Sequence, residues 1–248
     1  MPHGILHYLP FAVLLQGSGA DARFLVQQYS LKQLPSASLL TAERRPAMSS
    51  GRLLSVAPAR ARLRFAAQEA ESVARLFPAG SLALVGDRAT KERFTRIAGN
   101  YDVLHLATHG YFNRLNPMFS GIQLQPDGTD DGTLHVYEIL ALQLHARLVT
   151  LSACETALGS GFFSDLPPGD EFVGLTRAFL SAGGQSVMAT LWEVNDRSTV
   201  GFMLDFYRRA GAQDSAVALA AAQRAMAEKG PYRHPYYWAA FVLSGVGK

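Results

Sequence analysis

The chain of 248 residues contains a single cysteine. An internal disulfide is therefore impossible, which excludes the disulfide-stapled class of small secreted folds. Charge is also scarce. Asp, Glu, Lys and Arg make up 17% of the residues against 48% hydrophobic, a balance that excludes a disordered chain and is ample for a packed core. The net charge is only +3 although the isoelectric point is 9.1. No basic stripe lines a groove, so a nucleic-acid partner is not expected. No apolar run reaches bilayer length. Ile5 to Leu15 is short, lacks a basic flank and contains Pro10, so neither a signal peptide nor a membrane partner is expected, and the cytosol is the expected compartment. His3, His7, His135, His145 and His234 are scattered and join no cysteine cluster, so no metal or other cofactor is expected. Gly17-Ser-Gly19 lacks the Lys-Ser/Thr of a phosphate-binding loop. There is no internal repeat, and no linker rich in Gly, Ser or Pro divides the chain.

What is present alternates. Leu53 to Val56 reads as a strand stopped by Pro58. A helix around Phe65 to Phe77 follows, with Ala66, Ala70, Val73 and Phe77 on one face. Leu82 to Val85 is a strand, Thr90 a cap for a helix over Lys91 to Ile97, and Asp102 to Thr108 a strand after the Gly99-Asn100 turn. The second half continues the pattern. An irregular stretch runs to Gly132, with Ile122 to Leu124 as a short strand inside it. A helix over Val136 to Leu142 and a strand over Leu148 to Leu151 follow, then a Gly/Pro-rich loop over 157–170. After it come a helix over Glu171 to Ala182, a strand over Val187 to Trp192, helices over Ser198 to Arg209 and Ser215 to Lys229, and a strand over Tyr237 to Leu243. Phe24 to Leu31 is β-rich. Strand–helix alternation of this kind implies an open, mostly parallel α/β sheet with helices on both faces, folded as one domain.

Chemistry concentrates at two strand ends. Cys154 follows the apolar run Leu148 to Leu151, and His109-Gly110 closes the stretch that begins at Asp102. In an open α/β sheet, ligands bind at the carboxyl ends of the strands. If the two strands are neighbours, a thiol and the imidazole that takes its proton meet there. Alone, either residue reads as ordinary core; it is their matched placement that points to a cysteine nucleophile. Gly110 has no side chain to block its N–H, so the Gly110 and Cys154 amides are candidates for an oxyanion hole. Ser152 and Glu155 have the spacing of a capping box, and a helical turn beginning there would favour a thiolate. His105 reads as a satisfied core residue facing a covering helix.

Tyr101-Asp-Val-Leu-His-Leu-Ala-Thr-His-Gly110 and Leu151-Ser-Ala-Cys-Glu-Thr-Ala-Leu-Gly159 resemble the two signature segments of the CHAT family. The likeness continues through Phe172 to Gly184, Ser186 to Asp196 and His234 to Leu243, and covers Leu6 to Phe11 and Leu34 to Ser38 near the start. It implies one caspase-like domain over residues 1–248, commonly attached to tetratricopeptide repeats, which are then expected upstream or in trans. Relatives usually carry one more strand before Pro2 to Tyr8, so this chain reads as the C-terminal part of a longer protein. The implied activity is that of a cysteine endopeptidase acting on a protein or peptide, with His109 and Cys154 as catalytic dyad. The family is similar to separases and gingipains, which cut after basic residues. By that resemblance Asp196 matches the acid of the P1 pocket, with Glu193 and Asp170 as nearby candidates; a reading of Asp196 as the cap of the Ser198 helix stands beside it. Arg44-Arg45, in an expected exposed loop over Thr41 to Gly51, is a candidate self-cleavage site. A catalytically silent interaction module on the same fold is the alternative function.

Overall fold

The computed structural model describes residues 1–2, 4–37, 51–111, 113, 115–128, 130–152 and 170–247. The chain begins with single-turn helical segments. A short hairpin follows, β1 (Leu15–Gln16) with β2 (Arg23–Phe24), and then α1 (Leu25–Gln28). The β-rich stretch over Phe24 to Leu31 is thus mostly not strand. Val26 is buried against the core, and a four-residue helix turns it inward.

The main sheet is built from β3 (Leu53–Ala57), β4 (Leu82–Val85), β5 (Val103–Ala107), β9 (Leu148–Ser152), β10 (Ser186–Thr190) and β11 (Phe241–Gly245), in the order β11-β10-β9-β5-β3-β4. Five strands run parallel and β11 runs antiparallel to β10. The last strand starts four residues later than the apolar run suggests, because Pro235 to Tyr237 form a helical turn capped by His234. The outer edge of β11 is met by Gln33, whose N–H donates to the Leu243 carbonyl at 2.8 Å and whose carbonyl accepts from the Gly245 N–H at 3.0 Å.

Between β5 and β9 lies what the sequence presents as one irregular stretch. It holds a second sheet, β6 (Gly110–Tyr111), β7 (Gly121–Gln123) and β8 (Thr133–His135), all antiparallel. Strands of two or three residues leave almost no period-2 signal to read. Lys91 clamps this small sheet to α3 (Lys91–Ile97): its Nζ lies 2.8 Å from Asp130 Oδ2, 2.7 Å from Glu138 Oε1 and 3.1 Å from the Thr133 carbonyl. The Lys91 hydrogen bond holds the Asp130 carboxyl below its usual value of 3.8. A depressed carboxyl contributes stability above pH 3.8 that is lost as pH falls below it. Lys91→Met is expected to flatten that acid limb in a series of urea midpoints taken across pH.

Helices cover both faces. α3, α4 (Val136–Ala141) and α5 (Asp170–Ser181) pack on the face formed by Leu54, Leu104, Leu106, Val149 and Val187. α2 (Ala66–Ala74), α6 (Asp196–Ala210) and α7 (Ser215–Glu228) cover the other. Thr90 caps α3 as its sequence predicts, its hydroxyl accepting from the Arg93 N–H at 3.2 Å. The buried stripe of α6 is Ser198, Thr199, Phe202, Met203, Phe206, Tyr207 and Ala210, with its large aromatic rings turned inward. Gly183, between α5 and β10, sits at φ +114° against the Leu144 carbonyl oxygen, which occupies the space a Cβ would need. Gly183→Ala is expected to cost about 1–3 kcal/mol, measurable as a lower urea midpoint at unchanged slope.

Candidate active site

β3 connects outward to β4, whereas β5 lies on its other side. The strand order therefore reverses between β3 and β5, the position at which open α/β sheets bind ligands at the carboxyl ends of their strands. β5 and β9 are adjacent and parallel, with Val103 opposite Leu148, His105 opposite Thr150 and Ala107 opposite Ser152. The Thr108 N–H donates to the Ser152 carbonyl at 3.2 Å, which ties the exit of β5 to the end of β9. One residue on, the His109 carbonyl accepts from the Gln123 N–H at 2.9 Å, so the small sheet grips the backbone from the other side. The His109 ring is half-buried, and its Nδ1 is enclosed without a hydrogen-bond partner among the described residues. Gly110 opens β6 opposite Ile122 and is buried.

Asp196 lies close enough to His109 to feel its charge. Asn195, not Asp196, caps α6: its Oδ1 accepts from the Ser198 N–H at 3.0 Å. Asp196 is the first helical residue, and its Oδ2 accepts from the Phe65 N–H, in the segment after β3, at 2.7 Å. Burial pushes the Asp196 carboxyl above its usual value, and the nearby Glu69 charge adds to this. The Phe65 and Arg64 amides and the His109 charge oppose it. Asp196 is thus within electrostatic range of His109, and it makes no salt bridge among the described residues.

The other expected site residues divide. Glu193 is exposed; its backbone carbonyl accepts from the Tyr236 hydroxyl at 3.0 Å. Asp170 is the first residue of α5, with its side chain outside the described residues. Cys154, Glu155, Arg44 and Arg45 also lie outside them. His105 is fully buried between helix and sheet, as its sequence position suggests, with Nδ1 3.1 Å from the Tyr207 hydroxyl. Sequence reasoning missed Glu69. Its signal was a carboxylate inside the apolar stripe of α2, one position before Ala70. Among the described residues no group of three or more His, Cys, Asp or Glu side chains is arranged to hold a metal, and no helix is long and apolar enough to cross a membrane.

The CHAT domain family matches residues 1–246. Tetratricopeptide repeat protein 28 of Homo sapiens is 27% identical over 98% of this chain, and its Mus musculus counterpart is equally so. The chain spans only 12% of the length of either. Among solved structures, the Saccharomyces cerevisiae separase–securin complex aligns over 97% of this chain and 15% of that one, with a TM-score of 0.59 at 15% identity. The Arg-specific cysteine proteinase gingipain R aligns over 84% of this chain and 50% of that one, with a TM-score of 0.55 at 11% identity. The fold is therefore caspase-like, of the kind found in separase and gingipain.

Proposed function

We propose, from the premise that this chain belongs to the CHAT domain family, that it is a cysteine endopeptidase domain whose dyad is His109 and Cys154. The observation that carries this reading is the register of β5 on β9. The last pair is Ala107 with Ser152, and His109 and Cys154 each stand two residues further along their own segments. Equal steps past the ends of adjacent parallel strands lead to the same edge of the sheet, where ligands bind in open α/β folds.

In this reading His109 takes the thiol proton and the Cys154 thiolate attacks the peptide carbonyl. A carbon–sulfur bond forms, the amide carbon–nitrogen bond breaks, and His109 returns the proton to the leaving amine. Water then hydrolyses the thioester. The Gly110 and Cys154 amides hold the oxyanion between these steps. Asp196 receives a basic P1 side chain, Arg in preference to Lys, because a planar guanidinium matches a carboxylate with two parallel hydrogen bonds. A carboxylate already partly desolvated, and with no salt bridge among the described residues, gains most from that match. Glu193 and Asp170 are weaker candidates for the same pocket. The whole of residues 1–248 acts as one domain, and a tetratricopeptide-repeat region, in cis or in trans, holds it in check.

Digestion of a randomised peptide pool tests this reading, with native protein, alkylated protein and chelator-treated protein side by side. Cleavage after Arg that is lost on alkylation and survives the chelator is expected. Dominant cleavage after Asp or apolar residues would overturn the specificity. No cleavage of any pool, with or without repeat proteins added, would leave the interaction-module reading in its place.

A further inference from the structure

Below the edge that carries His109, five buried polar side chains close a ring. Thr150 and Ser152 stand two residues apart on the same face of β9. The Tyr207 hydroxyl of α6 donates to Thr150 Oγ1 at 2.7 Å. His105 Nδ1 lies 3.1 Å from the same hydroxyl, and His105 Nε2 lies 3.0 Å from Glu69 Oε1, a close contact outside ideal hydrogen-bond alignment. Ser152 Oγ donates to Glu69 Oε1 at 2.6 Å and closes the circuit. All five residues are at most 3% exposed. The ring ties α2, α6 and β5 to two points on β9.

An apolar core needs no such ring. Ala57, Ala66, Ala70 and Ala107 pack around this position, and burying a carboxylate among them is unfavourable unless its partners are well placed. Both ends of the circuit land on β9, one of them on its final residue. The carbonyl of that residue is held as well, by the N–H of Thr108, the neighbour of His109. Ser152 is thus fixed through side chain and backbone, two residues before Cys154.

We propose that Glu69 is a positioning residue, which acts through the Ser152 hydroxyl to fix the end of β9, two residues before Cys154 in sequence. The proposal rests on the dyad reading above. A nucleophile displaced by about an ångström loses on the order of a hundredfold in rate, so a hydrogen bond that sets the strand end acts on turnover more than on substrate binding.

The test uses the whole chain as wild type, Glu69→Gln, Glu69→Ala, Ser152→Ala and the Glu69→Ala/Ser152→Ala double variant. It measures kcat and KM on an Arg peptide, and the rate of iodoacetamide alkylation of the single cysteine at one fixed pH, with folding checked by circular dichroism. Glu69→Ala and Ser152→Ala are each expected to lower kcat about tenfold or more and to alter the alkylation rate, with KM within about twofold. The double variant is expected to be no worse than either single variant, as residues acting through one bond are non-additive. Glu69→Gln keeps an oxygen for Ser152 and should restore most of kcat. Should Glu69→Ala fail to fold, Ser152→Ala and Glu69→Gln still carry the test. Folded single variants with kcat and alkylation rate both within about twofold of wild type would overturn the proposal, as would losses that multiply in the double variant. If wild type cleaves no peptide, the dyad reading falls, and the alkylation rates alone decide whether Glu69 positions the cysteine.

Discussion

Cys154→Ala is expected to reduce peptide cleavage to background, a loss on the order of 10⁴ or more in kcat/KM. No second thiol exists to substitute for it. His109→Ala is expected to be less severe, on the order of 10²–10⁴, because the thiol retains some nucleophilicity when its base is gone. Both variants should fold, since the enclosed His109 Nδ1 makes no hydrogen bond among the described residues and since Cys to Ala removes a single heavy atom. Initial rates on a fluorogenic Arg peptide, with circular dichroism as a folding control, check both. Cleavage that survives Cys154→Ala would mean that another group is the nucleophile.

The second large effect concerns Asp196. Asp196→Asn preserves shape and leaves an oxygen to accept from the Phe65 N–H, so the start of α2 and the start of α6 stay joined. What is lost is the charge that meets a guanidinium. Removing one partner from a largely desolvated ion pair costs about 2–4 kcal/mol, the lower end applying because Asp196 is only half-buried. That corresponds to roughly 30-fold to 1000-fold in kcat/KM for Arg at P1. Alkylation of Cys154 should proceed at the wild-type rate, which separates a specificity defect from a damaged dyad. Equal losses for Arg and for neutral P1 residues would show that Asp196 serves the catalytic groups instead of the pocket.

The framework of this fold was legible because its signals are local. The helix over Lys91 to Ile97 announces itself by Thr90, and Leu82 to Val85 is a strand bounded by Gly80 and Gly86. The two apolar runs before His109 and Cys154 raised adjacency only as a condition, and the pairing of β5 with β9 meets it. Other features depend on contacts distant in sequence. β6 and β8 are too short to carry a period, and only pairing with β7 defines them. Asp196 looked like a helix cap because Asp is favoured there, but Asn195 takes that role and frees the carboxylate for Phe65. Glu69 had only one mark, a charge on an apolar face. Its partner Ser152 stands 83 positions away, and no periodicity joins the two.

The contact of Gln33 with β11 bears on how the molecule behaves in a crowd. A sheet edge with free amides and carbonyls is a template on which another copy can stack, and long stacks grow into fibres. Gln33 occupies the Leu243 carbonyl and the Gly245 amide on that margin, although it belongs to no strand of its own. One residue thus occupies the ladder toward the carboxyl end of a five-residue edge. A foreign strand would have to break both bonds to pair at these two residues. The chain supplies its own stopper, and colloidal stability on this side rests on a residue far from any chemistry.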